Sequence, residues 1–240
     1  MKTTGPIGII CAMESEAALL VKALEEKEKI TVAGSDYYAG TLCGTPAVVV
    51  QCGIGKVNAA RCTQALIDRF SPRCVINSGI AGGVGEGLHV GDVVLGAKLV
   101  EHDYDLTALG YAKGNVCVGN KKEPTYFRSD PALIDAIEAA AKALAPDRGI
   151  HRGVIASGDV FVSSKEVKAE LRSRFNALAA EMEGAALAHT AEYAGVPYAV
   201  IRVISDLADG GAPVSYTVFE NKTASLSAKI MMAMAEAAKA

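Results

Sequence analysis

Tryptophan is absent, and aromatic residues make up only 5% of the chain, so no base-stacking platform is written into it. No cationic excess compensates. The formal net charge is -3 and no long basic run occurs, which excludes the electrostatic footprint that nucleic-acid binding requires. The metalloprotease pattern H-E-x-x-H is missing. The six cysteines (Cys11, Cys43, Cys52, Cys62, Cys74 and Cys117) contain no C-x-x-C pair, so no metal site is expected. They read instead as small buried hydrophobes in a reducing compartment. G-x-S-x-G is absent too, and none of His89, His102, His151 and His189 stands in a serine-hydrolase context. No apolar stretch is long enough to span a bilayer, and residues 1–6 hold no signal-peptide core. The expectation is a soluble cytoplasmic protein with no cofactor and no membrane or nucleic-acid partner.

What the chain does have is bulk and alternation. Half of its 240 residues are hydrophobic, enough for one sizeable core, and no repeat or low-complexity linker divides it. A single α/β domain over 1–240 is expected. Ile7–Ala12 predicts a strand buried on both faces, followed by a helix to about Lys27. Strands follow at Ile30–Ala33, Tyr37–Cys43 and Ala47–Cys52, with a hairpin turn at Gly44-Thr45-Pro46. Gly53-Ile54-Gly55-Lys56 resembles half of a phosphate loop, but it lacks G-x-x-x-x-G-K-[ST] and argues for a close ligand approach rather than a triphosphate site. A helix spans Val57–Phe70. The strand Cys74–Ser78 runs into Gly79–Gly87, where the glycines imply positive φ or close approach of a ligand. Val90 to about His102 is strand-like, and Asp103–Arg128 is a long irregular segment. Ser129-Asp130-Pro131 caps a helix to about Ala145. Strand Gly149–Ala156, helix Ser164–Phe175, strand Phe175–Ala180, helix Gly184–Tyr193, strand Pro197–Ile204 and a last helix from about Ser215 to the C-terminus complete the pattern.

Candidate chemistry lies in acids at element boundaries. Glu181 and Glu183 fall where a strand feeds an Ala-rich helix, the position at which open α/β sheets bind ligands. Either they are first-turn acids favoured by the helix dipole, or they are ligand groups that need donors. Glu16 stands near the apolar face of the first helix. Asp206 is delivered by an apolar strand into a turn of small residues, where burial raises a carboxyl's pKa and suits it to act as an acid. Paired carboxylates of this kind suit cleavage of a glycosidic bond, one protonating the leaving group and the other activating water.

Six segments carry a family resemblance: Ile7–Glu16 (IGIICAMESE), Gly53–Ala60 (GIGKVNAA), Asn77–Gly83 (NSGIAGG), Ser157–Val162 (SGDVFV), Ala180–Ala185 (AEMEGA) and Ile201–Asp209 (IRVISDLAD). In this order the chain resembles the 5′-methylthioadenosine/S-adenosylhomocysteine nucleosidases. The resemblance implies a nucleoside phosphorylase-like α/β fold, three-layer α/β/α with a mixed central sheet. It also implies hydrolysis of a purine N-glycosidic bond. Carried over by position, Glu16 activates the attacking water and Asp206 protonates adenine N7, oriented by Ser205. Glu183 binds the ribose hydroxyls, Met182 packs on the sugar and Arg202 lies near the ribosyl and water site. Phe161 stacks on adenine, and the Val162 backbone meets the base edge. Ile54 and Tyr216 line the 5′-substituent pocket; Ile80, Glu181 and Ala208 complete the implied binding set. Leu106, Leu109 and Tyr111 resemble the loop lent by a second subunit, which implies a homodimer. Ile80 stands where some members carry a small polar residue, and Leu109 where others carry an aromatic; both bear on substrate preference.

Two enzymatic rivals use the same carboxylates: a phosphate-dependent phosphorylase of the same superfamily and an aminodeoxyfutalosine hydrolase. A phosphorylase needs cations around phosphate, and Glu16 would put a negative charge there. Repulsion at about 4 Å is on the order of 4 kcal/mol at intermediate dielectric. A non-enzymatic purine sensor does not need Glu16 and Asp206.

Overall fold

Where apolar runs alternate with helical segments, the chain builds one mixed sheet and covers both of its faces. The computed structural model describes residues 4–117, 119–209 and 211–238. The strands are β1 (Ile7–Cys11), β2 (Leu24–Val32), β3 (Ser35–Leu42), β4 (Thr45–Gln51), β5 (Cys74–Gly83), β6 (Val93–Glu101), β7 (Phe127–Arg128), β8 (Ile150–Ser157), β9 (Ala177–Glu181) and β10 (Tyr198–Asp206). The helices are α1 (Glu14–Ala23), α2 (Lys56–Phe70), α3 (Pro131–Leu144), α4 (Lys165–Phe175), α5 (Gly184–Tyr193) and α6 (Ala212–Ala237). In the sheet the order is β10-β6-β8-β9-β5-β1-β4-β3-β2, with β7 on β6. Because β10 also pairs with β5, five of these strands close into a ring. Helices α1, α3 and α6 pack on one face through Leu20, Ile137 and Met231. On the other, α2 and α5 pack through Leu66 and Leu187. The expected α/β architecture with a mixed central sheet is therefore the observed one.

Local chemistry explains the element ends. Every residue of β1 and of β10 is buried, as their unbroken apolar runs require. Asp130 caps α3 by accepting from the N–H groups of Ala132 and Leu133, with Pro131 at the first turn. Ser164 caps α4, and Asn176 ends it in the left-handed region.

Five expectations are corrected. The first helix stops at Ala23, and the charged stretch that follows is the edge strand β2, bulged between Glu25 and Glu28. Pairing with β3 overrides helix propensity there, and its charges suit an exposed edge. The hairpin turn is Cys43-Gly44, both at positive φ, with Thr45 and Pro46 already in β4. Of the two readings of the glycine-rich stretch, positive φ fails at Gly79 to Gly83, which continue β5 as extended strand, while close approach of another group holds. The last helix starts at Ala212; its expected end falls on residues 239–240, outside those described. The cysteines are all free, but Cys117 is exposed, because it sits in the irregular segment and not in an element with a buried face. Among the described residues no helix is long and apolar enough to cross a membrane.

Candidate active site

The ends of β1, β9 and β10 and the C-terminal part of β5 converge on a cavity of about 250 Å³. Its floor is acidic: Glu16, Glu181, Glu183 and Asp206 all line it. Each is under one-tenth exposed, so each needs compensation for lost water.

Glu16 obtains it from backbone. Its Oε2 accepts from the N–H groups of Ala12 (2.8 Å) and Met13 (3.0 Å), and its Oε1 from that of Ile80 (3.0 Å). The carboxylate thus fills a cradle of three N–H donors, a place that would otherwise attract an anion. Gly79 makes this possible: a Cβ there would collide with the Glu16 carboxylate. The close approach expected of this glycine is real, although its partner is a side chain of the same molecule. Burial pushes the Glu16 carboxyl above its ordinary pKa, against the pull of Arg202 and the three N–H groups.

Glu181 and Glu183, one residue apart, have different fates. Glu181 accepts from the Ser157 hydroxyl, from the Arg202 guanidinium and from the N–H groups of Glu183 (3.0 Å) and Gly184 (2.8 Å). Both of its oxygens are engaged, so it is a buttress that combines the two sequence readings: it caps α5 and it faces the cavity. Glu183 accepts only from the Gly55 N–H, at 2.7 Å through Oε1, with Arg202 at 3.7 Å from Oε2. Its second oxygen is the freer one. Burial, and after it the Glu181 charge, pushes the Glu183 carboxyl up to about 8.

Arg202 sits behind this pair. It is 1% exposed, does not line the cavity, and also bonds the Asn77 side chain and the carbonyls of Asn77 (3.3 Å) and Ile201 (3.0 Å). Burial works against its charge, but Glu181, Glu183 and Glu16 outweigh that and hold the guanidinium above its ordinary pKa.

On the far side stands Asp206. Its Oδ1 accepts from the Ala208 N–H at 2.8 Å, and its Oδ2 lies 2.8 Å from the Ser205 hydroxyl. Ser205 also reaches the Ala81 carbonyl at 3.3 Å, so the hydroxyl can donate to an ionised Asp206 or turn away and accept a proton from a neutral one. Burial raises the Asp206 carboxyl, against these two hydrogen bonds.

The apolar wall comes from Ile54, Ile80, Met182, Phe161 and Tyr216. Phe161 and Tyr216 meet edge to face at 5.7 Å, and the Tyr216 hydroxyl donates to the Met13 sulfur at 2.9 Å. Besides Arg202, two expected binding residues do not line the cavity: the Val162 side chain packs into the core beside Leu171, its backbone being the part expected to meet the base, and Ala208 is fully buried, serving Asp206 through its N–H. Leu109 ends a short 3-10 turn (Thr107–Leu109) that Leu106 and Tyr111 flank, and none of the three lines the cavity. Asn77, Ser157 and Gly55 act as supports that sequence reasoning missed, although each stands in one of the six family segments. A polar Asn77 inside an apolar strand was the available signal. Among the described residues no group of three His, Cys, Asp or Glu is placed to hold a metal ion.

A family model described as the phosphorylase superfamily matches residues 6–239. A 5′-methylthioadenosine/S-adenosylhomocysteine nucleosidase of Geobacillus thermodenitrificans is 42% identical over 94% of this chain and 94% of its own length. The solved nucleosidase of the same name from Neisseria meningitidis, in complex with methylthio-immucillin-A, superposes with a TM-score of 0.91 at 40% identity, covering 98% of this chain and 100% of that one. A futalosine hydrolase of Helicobacter pylori superposes with a TM-score of 0.89 at 33% identity over 98% of each chain.

Three buried acids with raised pKa values make the ligand-free protein sensitive to pH. A carboxyl whose folded pKa lies above its unfolded value contributes stability that is complete below the unfolded value and is lost as pH rises through the folded one. For Glu183 that window runs from its ordinary 4.5 to about 8. The melting temperature of the ligand-free protein is therefore expected to fall from pH 5 to pH 8, and Glu183→Gln to flatten the slope. A melting temperature that rises over this range, or an unchanged slope in the variant, would contradict the raised pKa values of these acids.

Proposed function

The chain belongs to the phosphorylase superfamily, and we propose that it acts there as a nucleosidase: it hydrolyses the N-glycosidic bond of 5′-methylthioadenosine and S-adenosylhomocysteine and releases adenine. One observation carries the hydrolytic reading. Glu16 and Asp206 face the same cavity, and the Glu16 carboxylate fills the three-donor cradle that a phosphate would need.

The chemistry follows from that geometry. A protonated Asp206 gives its proton to N7 of adenine, so the base departs neutral while the bond from N9 to the sugar breaks. The sugar left behind carries oxocarbenium character, which the carboxylates of Glu16 and Glu183 stabilise at short range. Water adds at the anomeric carbon and loses a proton to Glu16. The freer oxygen of Glu183 accepts from the ribose hydroxyls. Phe161 supplies a face for the base, the Val162 backbone its edge contact, and Ile54 and Tyr216 apolar surface for the 5′-alkylthio group. Arg202 and Glu181 hold Glu183 in place from behind. 5′-Deoxyadenosine, which keeps the same base and sugar, is a further substrate of this reading. The reaction fits methionine salvage and the clearance of S-adenosylmethionine by-products in the cytoplasm.

A homodimer belongs to the proposal. Ile54 and Phe161 on the cavity wall, Val57 beside Lys56 and Leu109 on the irregular segment are all exposed in the single chain, apolar surface that a partner would cover. A second copy would cover it and bring its own Leu106, Leu109 and Tyr111 to the cavity mouth. Sedimentation at micromolar concentration is expected to give twice the chain mass; a monomer would reject this part.

Adenine release from methylthioadenosine is expected to proceed at the same rate with and without phosphate; strict dependence on phosphate would overturn hydrolysis. Asp206→Asn and Glu16→Gln should each lower kcat by roughly 10²–10⁴-fold or more with folding intact. Near-normal turnover in either variant removes that residue from the mechanism. Kinetics on methylthioadenosine, S-adenosylhomocysteine and aminodeoxyfutalosine distinguish the nucleosidase from the futalosine-type hydrolase, which requires the last to be preferred.

A further inference from the structure

The Gly53–Lys56 turn gives the cavity more than the Ile54 side chain. Gly55, at φ 101°, donates its N–H to Glu183, and the residue after it carries an ammonium that none of the chemistry above uses. The Lys56 Nζ lies 2.7 Å from Asp103 Oδ1 and 3.3 Å from Glu101 Oε2, and its side chain is only 17% exposed. The ammonium is thus largely withdrawn from water and held between two carboxylates, and removing it would leave both without their cation.

Its connections form a closed circuit. Glu101 accepts from Lys56 through one oxygen and pairs with His189 Nδ1 at 3.0 Å through the other. His189 stacks on Phe127 at 4.6 Å and lies on α5, the helix that Glu183 opens. Glu183 in turn holds the Gly55 N–H, and Gly55 adjoins Lys56. A branch leads toward Phe161. Asp103 accepts from the Asp159 N–H at 2.9 Å through its second oxygen, and Asp159 accepts from the Lys56 N–H at 2.8 Å. Two residues beyond Asp159 stands Phe161, on the cavity wall. The charge states agree with a tight cluster: hydrogen bonds from His189 and Lys56 hold Glu101 low despite its burial, and Asp103 is likewise held low by Lys56 and the Asp159 N–H.

We propose that Lys56 is a positioning residue: clamped by Asp103 and Glu101, it locks the Gly55–Lys56 turn so that the N–H on Glu183 and the segment bearing Phe161 keep fixed places on opposite sides of the substrate. The proposal rests on the nucleosidase reading for its kinetic effect but not for its structural one. Removing the ammonium lets the turn move, which loosens the ribose contact through Glu183 and the base contact through Phe161 together. Neither interaction is confined to the transition state, so the loss falls mainly on substrate binding.

The test compares Lys56→Met and Lys56→Arg in the full-length protein, with Asp103→Asn as a milder second route should Lys56→Met fold poorly. With methylthioadenosine, Lys56→Met is expected to raise KM on the order of tenfold with a smaller change in kcat, and Lys56→Arg, which keeps the cation, to recover most of it. In a Glu183→Ala background, which has no acceptor for the Gly55 N–H, the same substitution should raise KM by clearly less than in the wild type, because only the Phe161 arm of the lock remains. Amide hydrogen exchange at Gly55 in the ligand-free protein should accelerate by about tenfold or more in Lys56→Met, independent of any substrate. Equal KM effects in both backgrounds, or unchanged exchange at Gly55, would overturn the lock. Wild-type protein that releases no adenine would instead reject the nucleosidase reading, with the exchange result still deciding the lock.

Discussion

One buried guanidinium organises the acidic half of this molecule. Arg202 leaves the central strand β10 in full burial and reaches Glu181, Glu183 and Asn77. Asn77 ties it to β5 and, through its own amide, to the Ile10 carbonyl of β1 at 2.9 Å. Glu181 ties it to the Ser157 hydroxyl on β8 and to the start of α5. With β9, which carries Glu181, five strands and a helix are therefore registered on a single side chain. Such a cluster holds only when complete: stripping one partner from a buried ion pair costs roughly 3–5 kcal/mol, because the remaining charge has no water to turn to.

The cluster is complete but not neutral. Burial raises the carboxyls of Glu16 and Glu183 against the pull of Arg202, the Glu181 charge adds to the rise at Glu183, and three carboxylates sharing one guanidinium leave an excess of negative charge. Without a ligand, protons relieve it. A sugar acquiring positive charge relieves it too, which is why an arrangement that destabilises the resting site favours glycosidic cleavage. Asp206 stands apart from Arg202, with only Ser205 and the Ala208 N–H for company, and burial raises it without a nearby cation to pull it back strongly. The two ends of the cavity are thereby suited to opposite tasks, one holding negative charge and the other holding a proton.

Much of this was legible in the amino-acid string. The buried strands announced themselves as short apolar runs, and Asp206 as an acid at the end of one. Motif resemblance brought Glu16, Glu183 and Phe161 to one cavity. What escaped was set by contacts distant in sequence. Glu181 and Glu183 look alike in a string of letters, and only Ser157 and Arg202 make the first a buttress and leave the second partly free. Glu25 to Lys29 carry good helix formers, yet pairing with β3 makes them an edge strand. Gly79 to Gly83 read as positive φ or close approach of a ligand; in the folded chain they thin a strand so that Glu16 and Asp206 can approach it. Lys56 read as a fragment of a phosphate loop, although its partners lie 45 and 47 residues away.

The cavity's preference for a cationic ribosyl group over a neutral one is the central claim. Calorimetric Kd values for a nitrogen-containing, protonated ribose mimic bearing an adenine-like base, set against its uncharged carbocyclic counterpart, measure that preference directly. The cation is predicted to bind at least ~10²-fold more tightly to the wild-type protein, with most of the advantage lost in Glu16→Gln. Equal affinity for the two compounds, or a preference for the neutral one, would contradict the claim.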